Sequence, residues 1–170
     1  AVVRVQGSAL SPGGEDVVGT GFFVGPSQVV TNYHVIRDLK DLTVRLADGR
    51  TFLAERYAVG PGIDLARLTV RGARAPGVLT FAQVEARRLP LGMGVVLVGV
   101  PDGQGPLASF GILSGVGPLE VPLPDPSVGA EVGTYLFTDA PLTVGNSGSP
   151  LLNLQGEVVG LVGESGCGKS

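Results

Sequence analysis

Apolar positions in this chain fall into short runs rich in β-branched residues, punctuated by glycine, proline and small polar residues. The runs are "VVRVQ", "VGTGFFV", "QVVTN", "LTVRLA", "TFLAERYAV", "DLARLTV", "GVVLVGV", "ASFGILSGV", "TYLFTD", "SPLLNL" and "EVVGLVG". Runs of this length and content, bounded by turn residues, read as β-strands. "ADGR" at 47–50 sets Asp-Gly between two of them, a strong hairpin signal. "NLQGEV" is a second hairpin candidate. Helical spacing shows only in "HVIRDLKDL" and in "FAQVEARRL". Residues 71–92 are richer in Arg, Pro and Ala and lack strand alternation, so they are expected to link two β halves. The proline-rich segment 117–133, "GPLEVPLPDPSVGAEVG", is expected to be a long surface loop. Many short strands at fairly regular spacing predict an all-β barrel or sandwich, without an internal repeat.

Composition agrees with that pattern and narrows the partners. The 170 residues include 28 Gly and 13 Pro, a turn-rich content that suits strands better than long helices. Net charge is −3, which gives no electrostatic case for nucleic acid or an anionic membrane surface. No apolar run approaches the length of a spanning helix. The single cysteine, Cys167, excludes a disulfide within the chain and leaves the redox compartment open. The start, "AVVRVQGSAL", lacks the basic-then-apolar layout of a signal peptide. No cofactor or metal is expected.

Three stretches carry candidate chemistry. His34, the only histidine, lies in "VVTNYHVI" between a β run and a short helical stretch. Ser147 lies in "TVGNSGSPLLN", where small residues let the backbone turn sharply. Such a turn aims backbone N–H groups at one point, as an oxyanion hole requires. Asp64, in "GPGIDLARLTV", sits at the mouth of an alternating strand. A carboxylate there is suited to fix the tautomer of an imidazole. Each has a bland reading too: a structural histidine, an ordinary Gly/Ser loop, a solvated strand-edge Asp.

In the order His, Asp, Ser along a β pattern, the chain resembles the chymotrypsin-like serine peptidases. It is most similar to their HtrA (Deg) branch, through "TNYHVI", "DLARL" and "TDAPLTVGNSGSPLLNLQGEVVG". The resemblance runs from "VGTGFFV" to "VVGLVG". It implies two antiparallel β-barrels of the six-stranded type, residues 1–80 carrying His34 and Asp64 and residues 81–170 carrying Ser147. Relatives continue with a further strand and a helix, so a truncated second barrel is allowed for. The implied activity is a serine endopeptidase: Ser147 as nucleophile, His34 as general base and acid, Asp64 orienting it. Gly145, Asn146 and Ser147 would form the oxyanion hole. Pro141, Leu142, Thr143, Val144, Leu161, Val162 and Gly163 would contact substrate, and their uncharged character predicts a preference for small or aliphatic side chains before the cut. The partners implied are proteins or peptides in extended conformation. The oligomeric state stays open, because the segment "GSALSPGGEDVV" between the first two strands is short. Family habit places such enzymes in the periplasm, at the cell envelope or outside the cell.

Departures from the family pattern are Tyr33, where a small or amide residue is usual, Asn146 in place of an Asp, and Ser149 in place of the second Gly of "GNSGG". If the site needs positive φ at Ser149, that residue is strained. Two alternatives remain: a peptide-binding module whose triad does not align, and a nucleotide site at the tail. The closing stretch "VGESGCGKS" fits the phosphate-loop pattern with Lys169, although that motif also needs a helix directly behind it. The family resemblance instead makes "GLVGESGCG" one wall of the substrate pocket.

Overall fold

The computed structural model describes residues 1–11, 13–14, 17–60, 63–101, 105–122, 127 and 130–163. The predicted phosphate loop, apart from Val162 and Gly163, lies outside them. All eleven apolar runs form strands: β1 (Val2–Ala9), β2 (Val18–Gly25), β3 (Gln28–Asn32), β4 (Leu39–Arg45), β5 (Thr51–Gly60), β6 (Leu65–Val70), β7 (Gly94–Gly99), β8 (Leu107–Pro122), β9 (Ala130–Thr138), β10 (Pro150–Asn153) and β11 (Val158–Leu161).

The first six close into an antiparallel barrel, in the order β1-β2-β3-β6-β5-β4, with β4 returning to β1. Alternation supplies its core. Val3 and Val5 of β1, Leu42 and Val44 of β4, and Ala66, Leu68 and Val70 of β6 point inward. β2 breaks the alternation, since Thr20 and Phe22 are buried as well as Phe23. Phe23 belongs to the barrel core, whereas Thr20 and Phe22 lie on the opposite face, where the second half of the chain covers them. The Phe22 and Phe81 rings meet there at 6.3 Å.

The second unit is a half-barrel: a five-stranded antiparallel sheet in the order β11-β10-β7-β8-β9, not closed among the described residues. Its core is Leu89, Val95, Leu97, Leu113 and Leu151. The connector between the units is hydrogen-bonded to both. Ala75 N donates to Pro26 O and Leu79 N to Phe23 O, while Val158 N donates to Thr80 O. Among the described residues no helix is long and apolar enough to cross a membrane.

Four local expectations are corrected. The pattern "HVIRDLKDL" is helical only at α1 (Tyr33–Ile36) and then becomes β4, because pairing with β1 and β5 overrides the local spacing. "FAQVEARRL" yields only a 3₁₀ turn at Ala86–Arg88. β1 extends to Ala9 into the expected first loop. The segment 117–133 is largely strand rather than loop: β8 runs to Pro122 and pairs with β9 from Ala130. Beyond Ile112, β8 no longer pairs with β7, so prolines there are tolerated as on an edge strand.

Candidate active site

His34 is positioned by the junction of β3 and α1. Asn32 ends β3 in extended conformation (φ −76°, ψ 151°) and stands at the N-cap position of α1 without a side-chain capping bond. Val35 and Ile36 are buried and anchor the helix to the barrel. Arg56 of β5 donates to the carbonyls of Ile36 and Leu39, which holds the chain as it leaves α1.

Asp64 stands just before β6, and the register Asn32↔Leu65 brings it beside the start of α1. It adopts φ 46°, a left-handed conformation that Asp tolerates better than most residues. Its carbonyl accepts from Tyr33 N and Asn32 Nδ2, both at 3.1 Å. Its carboxylate holds His34 twice: Oδ1 accepts His34 N at 2.8 Å, and Oδ2 lies 2.6 Å from Nδ1. Asp64 is buried and the His34 ring nearly so. An ionised carboxylate only accepts, so Nδ1 carries a proton. In the neutral ring, Nε2 then keeps its lone pair and is able to accept a proton.

Ser147 is the second residue of the latter of two successive turns that share Asn146. Asn146 N donates to Thr143 O at 3.1 Å, and Ser149 N to Asn146 O at 2.9 Å. Gly145 (φ 92°) and Gly148 (φ 85°) occupy the third positions, where such turns need a left-handed residue. Four more bonds fix the loop. Thr20 N donates to Ser147 O at 2.8 Å and Thr20 Oγ1 to Gly145 O at 2.8 Å. Gly148 N donates to Val162 O, and Val162 N to Ser149 O, each at 2.9 Å. Among the described residues the N–H groups of Gly145 and Ser147 have no acceptor. The N–H of Asn146 is taken up by Thr143 O, and its buried side chain turns toward Gly99 beneath the loop.

Gly19 of β2 brings the loop and the helix together. A Cβ placed on it would stand 2.7 Å from Val35 Cγ1 and 3.2 Å from Ser147 O. Ser147 and the neighbour of His34 therefore flank one residue. No hydrogen bond joins Ser147 Oγ to His34.

Around this centre, Leu142 and Val162 pack against the second core. Leu161 and Gly163 are half-buried, while Pro141 and Thr143 are exposed. Val144 is 92% exposed and forms no packed wall. Asp139, upstream of these, accepts Ile112 N at 2.7 Å. Tyr33 packs against the first core. Ser149 does not adopt positive φ, and the left-handed conformations fall on its glycine neighbours instead. Sequence reasoning missed Thr20, Asn32 and Arg56. The small-residue pattern "GTG" around Thr20 was the only available hint.

Residues 19–161 match the family model of the trypsin-like peptidase domain. The chain is 34% identical over 146 residues to the Chlamydia trachomatis protein named "Probable periplasmic serine endoprotease DegP-like", covering 85% of this chain and 28% of that protein. It is 35% identical over 147 residues to the periplasmic pH-dependent serine endoprotease DegQ of Escherichia coli, covering 85% and 30%. It thus spans less than a third of the length of these relatives. Among solved structures, the active form of the Rv3671c protease of M. tuberculosis superposes with a TM-score of 0.85 at 30% identity, over 96% of this chain and 69% of that one. The inactive form gives 0.83 at 28% identity, over 99% and 79%. The barrel, the half-barrel, the His34–Asp64 pair and these matches together show that the chain belongs to the trypsin-like peptidase domain family.

Proposed function

We propose that this chain is the peptidase unit of a serine endopeptidase that cleaves proteins through an acyl-enzyme. The observation that carries the reading is the buried 2.6 Å contact of Asp64 with His34 Nδ1, close to a serine loop with two N–H groups that have no acceptor among the described residues. Ser147 Oγ attacks the scissile carbonyl while His34 Nε2 takes its proton. The negative charge that develops on the carbonyl oxygen is met by the N–H groups of Gly145 and Ser147. The imidazolium, stabilised by Asp64, returns the proton to the leaving amine. Water then hydrolyses the ester by the same route. Residues 1–80 supply the base and its partner, and 81–170 supply the nucleophile. Substrate lies extended beside Leu161, Val162 and Gly163, beyond the point where residues 80–82 pair with Val158, and adds a strand there. The periplasmic location named for the relatives is the location we propose for this protein.

One observation favours a second reading, a peptide-binding module on the same fold: Ser147 Oγ and His34 share no hydrogen bond. Catalytic hydrogen bonds are often long in unliganded sites and tighten with substrate, so the endopeptidase reading takes precedence. A fluorophosphonate probe, which reacts with an activated serine whatever the peptide preference, separates the two. We expect labelling that disappears in Ser147→Ala. A folded wild-type chain that takes no label and still binds extended peptides would establish the binding module.

A further inference from the structure

One residue of the first barrel holds the nucleophile loop from beneath. Thr20 is fully buried, and every polar group it owns is engaged. Its N–H donates to Ser147 O at 2.8 Å. Its carbonyl accepts Thr31 Oγ1 at 2.7 Å. Its hydroxyl accepts Val100 N, just past β7, at 2.9 Å and lies 2.8 Å from Gly145 O. Because an N–H only donates, the hydroxyl proton must point at Gly145 O. The direction of the relay is therefore fixed: Val100 N–H to Thr20 O–H to the Gly145 carbonyl. Bonds arranged head to tail in a buried setting polarise one another.

The carbonyls that Thr20 holds belong to the peptide planes 145–146 and 147–148. Between them lies the plane 146–147, which carries the Ser147 N–H. Pinning the planes on both sides fixes where that N–H points, and it anchors Gly145, whose own N–H is the other uncommitted donor. A displacement of about 1 Å at such a site costs on the order of 100-fold in rate.

We infer that Thr20 is a positioning residue for the oxyanion donors, clamping the Ser147 loop to the first barrel and, through Val100, to the end of β7. The inference rests on the peptidase reading. Thr20→Val keeps the shape, leaves Val100 N–H and Gly145 O without partners, and puts a methyl group where the relay ran.

The test compares wild type, Thr20→Val, Thr20→Ser and Asn153→Ala on a peptide amide substrate and on fluorophosphonate labelling, with rates taken per folded molecule. Asn153 is buried in the β10–β11 hairpin, where Oδ1 accepts Gln155 N and Glu157 N, so its loss lowers stability away from the loop. Thr20→Val is expected to lower kcat and the labelling rate roughly 10- to 100-fold with KM little changed, the signature of an interaction made in the transition state. Thr20→Ser restores both. Asn153→Ala lowers the melting temperature and leaves kcat at the wild-type value. Should the valine variant not fold, Thr20→Ala carries the same expectation without the added methyl. Wild-type kcat in Thr20→Val or Thr20→Ala overturns the inference alone. So does an equal kcat loss in Asn153→Ala. A wild-type chain that neither cleaves nor labels overturns the peptidase reading, and this inference with it.

Discussion

Asp64 grips His34 by both carboxylate oxygens, one on the backbone N–H and one on the ring Nδ1. The pair is thereby fixed in position and in tautomer. The Asp64 backbone is itself held, since its carbonyl accepts from Tyr33 and Asn32 at the head of the same helix. Helix, strand end and ring form one rigid unit built within the first barrel.

Asp64→Asn tests what the charge contributes. The amide retains the size of the carboxylate, so His34 stays in place. An amide nitrogen facing Nδ1 would demand an acceptor there and move the ring proton to Nε2, removing the base. The expected loss in kcat is on the order of 10⁴-fold, the general figure for this change in a Ser-His-Asp triad. Peptide hydrolysis within tenfold of wild type would show that Asp64 does not orient the base.

Gly148 and Gly156 separate two reasons for a glycine. Both have positive φ, at 85° and 80°. A Cβ on Gly156 would meet nothing within 4 Å, whereas one on Gly148 would stand 2.0 Å from Thr20 O and 2.6 Å from Thr31 Oγ1. Gly156→Ala is expected to cost only the left-handed penalty, about 1–2 kcal/mol. Gly148→Ala adds overpacking of about 1–3 kcal/mol against a backbone that cannot yield. Urea denaturation of the two variants measures the gap, and equal losses would rule out the close approach.

The strands were legible because alternation is local: each run carries its own inward and outward faces whatever it pairs with. The helix at His34 was overestimated because the apolar spacing of "HVIRDLKDL" suits both a helix and a strand, and only the closure of the barrel on β1 decides. The prolines at 118 and 122 suggested a loop because their cost depends on whether a second strand lies alongside, which is a tertiary fact. His34, Asp64 and Ser147 stood out through distinctive neighbours. Thr20 did not, since its partners Val100 and Gly145 lie 80 and 125 residues away and nothing near it marks the connection.

Ser149 is fully buried, and its hydroxyl has no hydrogen-bond partner among the described residues. A buried hydroxyl left unpaired costs about 1–3 kcal/mol. Ser149→Ala removes the hydroxyl while keeping Cβ, and its backbone needs no glycine. Stability is expected to rise by roughly 1 kcal/mol, read as a higher urea midpoint at unchanged slope. A lower midpoint would mean that the hydroxyl has a partner in the folded protein.

The hairpin turn at 47–50 has a pH signature of its own. Asp48 accepts Arg50 N at 3.0 Å and Arg50 Nε at 2.9 Å. These bonds, the side-chain bond foremost, hold its carboxyl below the ordinary carboxylate range. A depressed folded-state pKa stabilises above the unfolded value and ceases to do so as pH falls through the folded one. The turn is fully exposed, so the effect on global stability is small. Titration of Asp48 by NMR should give a midpoint below that of a model Asp, and Arg50→Ala should raise it. An unchanged midpoint in that variant would remove Arg50 as the cause.

The specificity we propose follows from what the proposed substrate-contact residues lack. Pro141, Leu142, Thr143, Val144, Leu161, Val162 and Gly163 carry no charge, and Leu142 and Val162 are continuous with the second core. The nearest upstream carboxylate, Asp139, is engaged by Ile112 N–H at 2.7 Å and offers no ready counter-charge. A guanidinium brought into such a site gives up water without gaining a partner, at a cost of several kcal/mol. A valine side chain carries no such cost and gains about 25 cal/mol for each Å² of apolar surface it covers. Two peptides that differ only in Val or Arg before the scissile bond should therefore differ in kcat/KM by at least about tenfold in favour of Val. Equal rates would mean that a carboxylate reaches the pocket, and Asp139→Asn would then identify it: loss of the Arg peptide alone would show that Asp139 leaves Ile112 to meet the substrate.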